Sequence, residues 1–249
     1  MKKILLLFLS GLLSATVISY AQKKLLTEIN SINTKEVIGF KYNSKNQLVY
    51  IDEKGVVTYT EYRLKYDKTN QLVECIMNQD KGELILSSKY LYSSEGSIEE
   101  EIKSSGKKIH TKTMDVNSIH VDIKGRLVKT TFDDGNIWEE FEYDNDNNLV
   151  KYKVHSAFGN NDKVSEYKFD TNKSPFSDIM DFPVWFWALH MNKARWCGDF
   201  IGHNNAVENV TDDSRYGLDT VEITYAYDED GYPVKQYYNG ELVKEFKYK

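Results

Sequence analysis

The sequence predicts a mostly β protein: a curled or barrel-like antiparallel sheet of repeated hairpins, with one short helical insertion. Three observations favour this class. Pairs of aromatic or aliphatic residues recur along the chain, each pair leads into a turn rich in Asp, Asn and Gly, and only 3 Pro accompany 18 Tyr and 11 Phe in 249 residues. Proline lacks the N–H group that a sheet ladder needs, whereas tyrosine packs its ring inward and keeps its hydroxyl at a wet edge.

The repeat reads as a β-hairpin. Its best copies are Tyr66-Asp67 to Val73, Tyr143-Asp144 to Val150 and Tyr227-Asp228 to Val234. Side chains alternate between the faces of a strand, so the two apolar residues of a pair share one face and the residue between them takes the other. The turn residues tolerate left-handed backbone, and a second strand follows. The second apolar position falls at Tyr42, Tyr66, Tyr92, Val121, Tyr143, Phe169, Tyr227 and Tyr248.

One face of such a sheet is apolar and must pack against other apolar residues of the protein. No segment between the N-terminal region and residue 174 has a convincing helical period, although Leu25 to Ile32 fits either a short helix or an extended entry segment. With few helices available, the sheet must curl on itself, pair with a second sheet or stack as a solenoid.

The N-terminus has the pattern of a secretory signal. Met1-Lys2-Lys3 precedes an apolar run from Ile4 to Ile18, and Ser19-Tyr20-Ala21 places small residues at the cleavage positions. The pattern predicts a signal peptide at residues 1–21 and a single β-repeat domain at residues 22–249. We therefore expect an exported protein, periplasmic, cell-surface or secreted, with no transmembrane helix after cleavage.

Charge and cysteine content exclude several classes of protein. The net charge is −6, and removal of Lys2 and Lys3 with the signal makes it −8. Nucleic-acid binding needs clustered cations, so a nucleic-acid partner is not expected. Cys75 and Cys197 are too few for a four-thiolate zinc site, and outside the cytoplasm they either form one disulfide or stay as two buried thiols.

The most unusual segment is an insertion at about 174–215, because 58 residues separate Phe169 from Tyr227. Pro183 fits the first turn of a short helix, and residues 202–216 read as a polar surface loop. The helix is expected to plug the open end or the face of the curled sheet. Alternatively, the rings form an exposed aromatic platform that stacks on sugar rings, other apolar ligands or a partner's surface; its residues are Trp185, Trp187 and Trp196.

The other groups of polar residues match no known metal-binding or catalytic motif. His190, Cys197, Asp199 and His203 match no closed zinc pattern, so no metal site and no cofactor is predicted. The turn at 144–148 begins like a calcium loop, but Leu149 stands where the loop needs Gly, so a hairpin turn fits better. The sequence has no nucleophile-elbow, metalloprotease or phosphate-loop motif, and no catalytic residue is predicted.

The repeated Tyr-Asp-x-x-(Asn/Gly)-x-Leu-Val unit resembles the tyrosine–aspartate repeats of bacterial surface and Rhs-type proteins. The signal peptide, the length and the late insertion also resemble an uncharacterised family of exported Gram-negative proteins described as having a porin-like β fold. The resemblance covers about residues 36–249 and implies architecture, without any catalytic residue.

The sequence thus predicts an exported, non-enzymatic binding or scaffold module of unknown ligand, with a glycan or another surface protein as the expected kind of partner. Two alternatives stay open. Plentiful carboxylates and aromatics allow a glycan-acting hydrolase. An exported, tyrosine-rich antiparallel chain also allows an outer-membrane β-barrel, although the faces that carry Lys and Glu fit a water-facing sheet better.

Overall fold

The fold is seen in a computed structural model, which describes residues 24–107, 109–113, 117–132, 134–155, 162–179, 183–190 and 201–249. The predicted signal peptide lies outside these residues. The described part has one helix, α1 (Val184–His190), and the following strands: β1 (Leu26–Ser31), β2 (Glu36–Tyr42), β3 (Leu48–Lys54), β4 (Tyr59–Tyr66), β5 (Leu72–Gln79), β6 (Leu84–Tyr92), β7 (Ser97–Gly106), β8 (Ile109–Thr113), β9 (Asn117–Val121), β10 (Leu127–Thr131), β11 (Ile137–Tyr143), β12 (Leu149–Val154), β13 (Lys163–Lys173), β14 (Asn204–Asp213), β15 (Gly217–Tyr227), β16 (Pro233–Tyr238) and β17 (Glu241–Tyr248).

Sixteen of these strands form a closed antiparallel barrel. Each pairs with its neighbours along the chain, β7 pairs with both β8 and β9, and β8 extends beside β7 without joining the ring. The ring closes where the first strand pairs with the last, with Ile29 opposite Phe246 and Ser31 opposite Lys244. The predicted mostly β, barrel-like antiparallel sheet of hairpins with one short helix is confirmed.

The hairpin turns at one end of the barrel share one hydrogen-bond arrangement. In the turn after β4, Oδ1 of Asp67 accepts from the backbone N–H groups of Thr69 at 2.8 Å and Gln71 at 2.9 Å. The Thr69 hydroxyl also donates to this carboxylate, and these bonds lower the pKa of Asp67. Asn70 then takes the left-handed conformation with φ 67°, which asparagine tolerates. Side chains of Asn43, Asp122 and Asp228 accept the same pair of backbone bonds in their own turns.

A tyrosine tie joins neighbouring strands beside several of these turns. The Tyr92 hydroxyl, at the end of β6, donates to the carbonyl of Leu72 at the start of β5, at 2.8 Å. Each tie satisfies a backbone carbonyl at the rim and holds a ring against the core. The same tie joins Tyr42 to Leu26, Tyr66 to Leu48, Tyr225 to Ala206 and Tyr248 to Pro233.

The core lies inside the ring and is covered by the helix. The inward residue that follows each turn is fully or almost fully buried, as in Leu48, Leu72 and Leu149. Helix α1 adds the buried side chains of Trp185 and Phe186 to the same cluster. This position fits the expected plug, because a ring of sixteen strands is too wide for wall side chains alone to fill.

Two expectations about local structure are corrected. Leu25 to Ile32 contains strand β1, so the helical alternative is wrong. The stretch 202–216, read as a polar loop, contains β14, which pairs with β13 and β15 on its two sides. Its polar inward side chains are satisfied across the ladder: the hydroxyls of Ser165 and Thr211 lie 2.9 Å apart.

The outward wall of the barrel is charged. Positions that alternate with the buried residues carry an ionisable acidic or basic side chain on nearly every ring strand, for example Lys41 on β2, Arg63 on β4 and Glu222 on β15. Opposite charges face each other across the ladder in the pairs Lys65–Glu74, Lys151–Glu166, Lys168–Glu208, Lys235–Glu245 and Lys247–Glu28, at 2.7–3.7 Å. In the described residues, no helix has the length and apolar character that a membrane span requires.

Candidate functional site: a cleft at the helix-bearing end

A cleft opens at the end of the barrel that carries α1. Its polar part, about 490 Å³, lies between the turn residues 145–147, the end of β13 at Asp170 and Thr171, and the approach to β14 at His203 and Asn204. A neighbouring apolar part of about 210 Å³ shares Asn147 and His203 with it. The remaining residues of the apolar part are Phe176, Ser177, Ile179, Val184, Trp187, Ile201 and Gly202.

Buried asparagines fix one wall of the cleft. Asn148 is 2% exposed, and its side chain accepts from the Asn204 backbone N–H at 2.9 Å and donates to the Asn204 Oδ1 at 3.1 Å. The Asn148 amide also donates to Asp144, which caps the same turn. Gly202 passes so close that an added Cβ would lie 2.6 Å from Oδ1 of Asn148. The end of the β13–β14 connection is thereby fastened to the β11–β12 turn.

Asp170 fixes the part of the cleft wall at the end of β13. Its carboxylate accepts from the backbone N–H groups of Asn172 at 3.0 Å and Asn205 at 3.1 Å, and from the Tyr227 hydroxyl. Burial and the bond to Asp170 raise the pKa of Tyr227, so its hydroxyl remains a donor. Asp170 is thus a structural anchor whose acceptor sites are largely used within the protein.

Two cations orient the turn at the cleft edge. Nζ of Lys124 and Nη1 of Arg126 both donate to the Asn147 Oδ1, at 3.0 and 3.2 Å. Arg126 is itself held by Asp122 at 2.6 Å. Because the carboxamide oxygen of Asn147 is engaged by two donors, its NH₂ group is the part left for a ligand.

Two of the three residues predicted to form an exposed aromatic platform are buried, so the predicted exposure is wrong for them. Trp185 is 3% exposed and Trp187 is 5% exposed, so neither ring presents an open stacking face. Trp185 packs edge-on against Tyr90 at 4.9 Å between ring centroids, and Trp187 packs against Phe176 at 4.7 Å. Trp187 also borders the apolar part of the cleft, so contact with a ligand there stays a prediction. Trp196 lies outside the described residues.

Only some of the other candidate residues from the sequence analysis lie in the described part of the structure. Cys75 is buried on β5, and Cys197 lies outside the described residues, so the disulfide stays a prediction. His203 stands at the cleft, whereas Cys197 and Asp199 are not described. Within the described ranges, no group of three or more His, Cys, Asp or Glu side chains could hold a metal ion. The 144–148 segment is a hairpin turn joining β11 to β12, as expected.

The sequence did not single out the cleft as a site. Its walls come from the β11–β12 turn, the end of β13 and residues 201–204, which are distant along the chain. The available signal was the density of asparagine in two places, residues 145–148 and Asn204-Asn205. Asparagine is also the ordinary residue of a turn, so the sequence alone could not separate the two roles.

Comparison with known proteins identifies a fold neighbour. A crystal structure of a porin-like protein from Bacteroides uniformis is similar, with a TM-score of 0.51 and 12% sequence identity, over 91% of this chain and 97% of that one. No family model matches the chain, and no curated protein matches it. At this identity the likeness establishes a porin-like β fold.

Proposed function

We propose that this protein is an exported, water-facing β-barrel that acts as a non-enzymatic binding module. One observation carries the proposal: the outward wall bears acidic and basic side chains on nearly every strand, several of them paired across the ladder. The signal-peptide pattern supports export. The plugged end, the cleft and the missing catalytic motifs support binding over catalysis.

A second candidate is an outer-membrane barrel. An even number of antiparallel strands in a closed ring favours it, and so does the porin-like neighbour. The outer wall weighs against lipid contact, because a Lys or Arg at the bilayer midplane costs about 2–4 kcal/mol. Strand length also weighs against it: eleven of the sixteen described ring strands have five to eight residues, whereas a membrane strand needs about 9–11.

Fractionation of a Gram-negative host that produces the full chain separates the two candidates. We expect the processed protein in the periplasm or medium, monodisperse in buffer without detergent. Retention in the outer membrane after carbonate washing, with detergent needed for extraction, would contradict the proposal and support the membrane barrel.

A variant of the outer wall adds an independent measurement. Lys168 and Glu208 pair at 2.7 Å on the wall, and their replacement by leucine places apolar side chains there. If the wall faces water, the Lys168→Leu, Glu208→Leu protein should be less soluble than the parent. If the wall faces lipid, the double variant should insert more stably.

A further inference from the structure

We infer that the cleft at the helix-bearing end binds a neutral carbohydrate, with one sugar ring over its apolar part. This inference rests on the proposed binding function and names the ligand class. The polar part of the cleft alone reaches about 490 Å³, within the range of roughly 300–1,000 Å³ of small-molecule sites.

The polar groups at the cleft suit hydroxyl ligands. Asn145 and Thr171 are exposed at its edge and offer a carboxamide and a hydroxyl group, His203 offers an imidazole, and Asn147 offers its NH₂ group. Together these groups supply both donors and acceptors, which the hydroxyls of a sugar can match. Asp170 is engaged by Tyr227 and Asn205, and Arg126 by Asp122, whereas the exposed carboxylate of Asp146 lines the polar part of the cleft. This carboxylate repels a phosphate and supplies few of the six to eight oxygen ligands that Ca²⁺ takes, but it can accept hydrogen bonds from sugar hydroxyls. A neutral ligand therefore fits better than a phosphate or a cation.

The apolar part offers a surface for the C–H face of a sugar ring. The half-buried side chains of Phe176, Ile179 and Val184 form this surface, and the buried ring of Trp187 packs against Phe176 at 4.7 Å between ring centroids. A hydroxyl is set among these groups: Oγ of Ser177 is buried and has no hydrogen-bond partner in the described part of the chain. An unmet buried hydroxyl costs free energy, which a ligand hydroxyl would recover. Ser177 thus points independently to a polar ligand at this position.

The cleft is pre-organised for binding. The Asn148–Asn204 pair and the Asp170 cluster fix its walls through bonds within the protein. A further bond, from the Ser174 hydroxyl to the Gly202 carbonyl at 2.8 Å, holds the two ends of the β13–β14 connection together. A fixed site reduces the ordering cost of binding, which matters for a small, weakly bound ligand.

The test uses the mature protein and a panel of neutral sugars: glucose, galactose, mannose, N-acetylglucosamine, maltose and cellobiose. Saturation-transfer NMR and calorimetry at millimolar sugar detect weak binding. We expect saturable binding of at least one sugar, and about a tenfold loss of affinity in Asn147→Gly and in Ser177→Ala, since each removes one hydrogen-bonding group.

The matched control is Asn70→Gly. Asn70 occupies the equivalent turn position after β4 with φ 67°, against 68° for Asn147, and glycine tolerates this backbone in both turns. Asn70→Gly should bind like the parent.

Three outcomes overturn the inference: no sugar of the panel binds, the two glycine variants bind alike, or inorganic phosphate or Ca²⁺ binds at the cleft in place of the sugars. A detergent-free protein that binds no sugar refutes this inference alone. A carbonate-resistant membrane protein refutes the proposed function.

Discussion

At the residue scale, the repeated tyrosine has a definite task at the rim of the barrel. Five tyrosine hydroxyls donate to backbone carbonyls of the neighbouring strand. Tyr143 stands at the equivalent position at the end of β11, but its hydroxyl is buried without a hydrogen-bond partner in the described residues. The contrast separates the contribution of the ring from that of the hydroxyl.

Tyr92→Phe should therefore destabilise the protein by about 0.5–1.5 kcal/mol, the net contribution of one hydrogen bond. Burial raises the pKa of Tyr92 to about 12, so the hydroxyl is a donor throughout the neutral range. Urea unfolding gives the free-energy difference. Tyr143→Phe is the matched control and should be neutral or slightly stabilising, because it removes an unmet polar group. Equal losses in the two variants would show that the tie contributes nothing.

At the element scale, the connection between β13 and β14 depends on the close approach of Gly202 to the β11–β12 turn. Gly202→Ala should cost about 1–3 kcal/mol, since its Cβ would lie 2.6 Å from Oδ1 of Asn148 and 3.1 Å from Cα of Asn148. Thermal unfolding of Gly202→Ala, Asn148→Ala and the double variant measures the coupling. The double variant should lose less than the two single losses together, and strict additivity would contradict the proposed contact.

The elements that could be predicted from the sequence are those with their own local chemistry. The turn after Tyr66-Asp67 and the turn after Tyr143-Asp144 carry capping side chains and alternating strands, and both hairpins are present. β14 could not be predicted in this way, because its inward positions include Asn209 and Thr211, and polar alternation resembles a loop. What makes β14 a strand is pairing on both sides, which is a tertiary effect.

The cleft depends on tertiary arrangement even more strongly. Asn147 and Asn204 meet at it only because the insertion returns to the β11–β12 turn. The burial of Trp185 and Trp187 also depends on tertiary structure, and composition alone could not predict whether these side chains are buried or exposed.

At the scale of the whole molecule, the two ends of the described chain lie together. The Leu25 N–H donates to the Lys249 carbonyl at 3.1 Å, and the Lys249 N–H donates to the Leu25 carbonyl at 3.0 Å. A circular permutant that joins Lys249 to Lys24 by a short glycine linker, opened between Val56 and Val57, should keep the fold. These valines are 73% and 86% exposed in the β3–β4 turn, so a cut there removes little buried contact.

Circular dichroism and cooperative thermal unfolding check the permutant. The contrasting variant lacks β17 and should aggregate, because β1 and β16 then present unpaired edges. A permutant without cooperative unfolding, or a well-folded protein without β17, would show that closure of the ring is not what stabilises it.

The pairing of the first strand with the last also sets when the protein can fold. Loop-closure entropy makes this the costliest contact to form, since it spans the whole domain. A chain synthesised from its N-terminus has no partner for the outer edge of β1 until β17 has been made. A product that lacks β17 is left with open edges on β1 and β16. The closed ring thus makes the presence of β17 a condition for completing the fold.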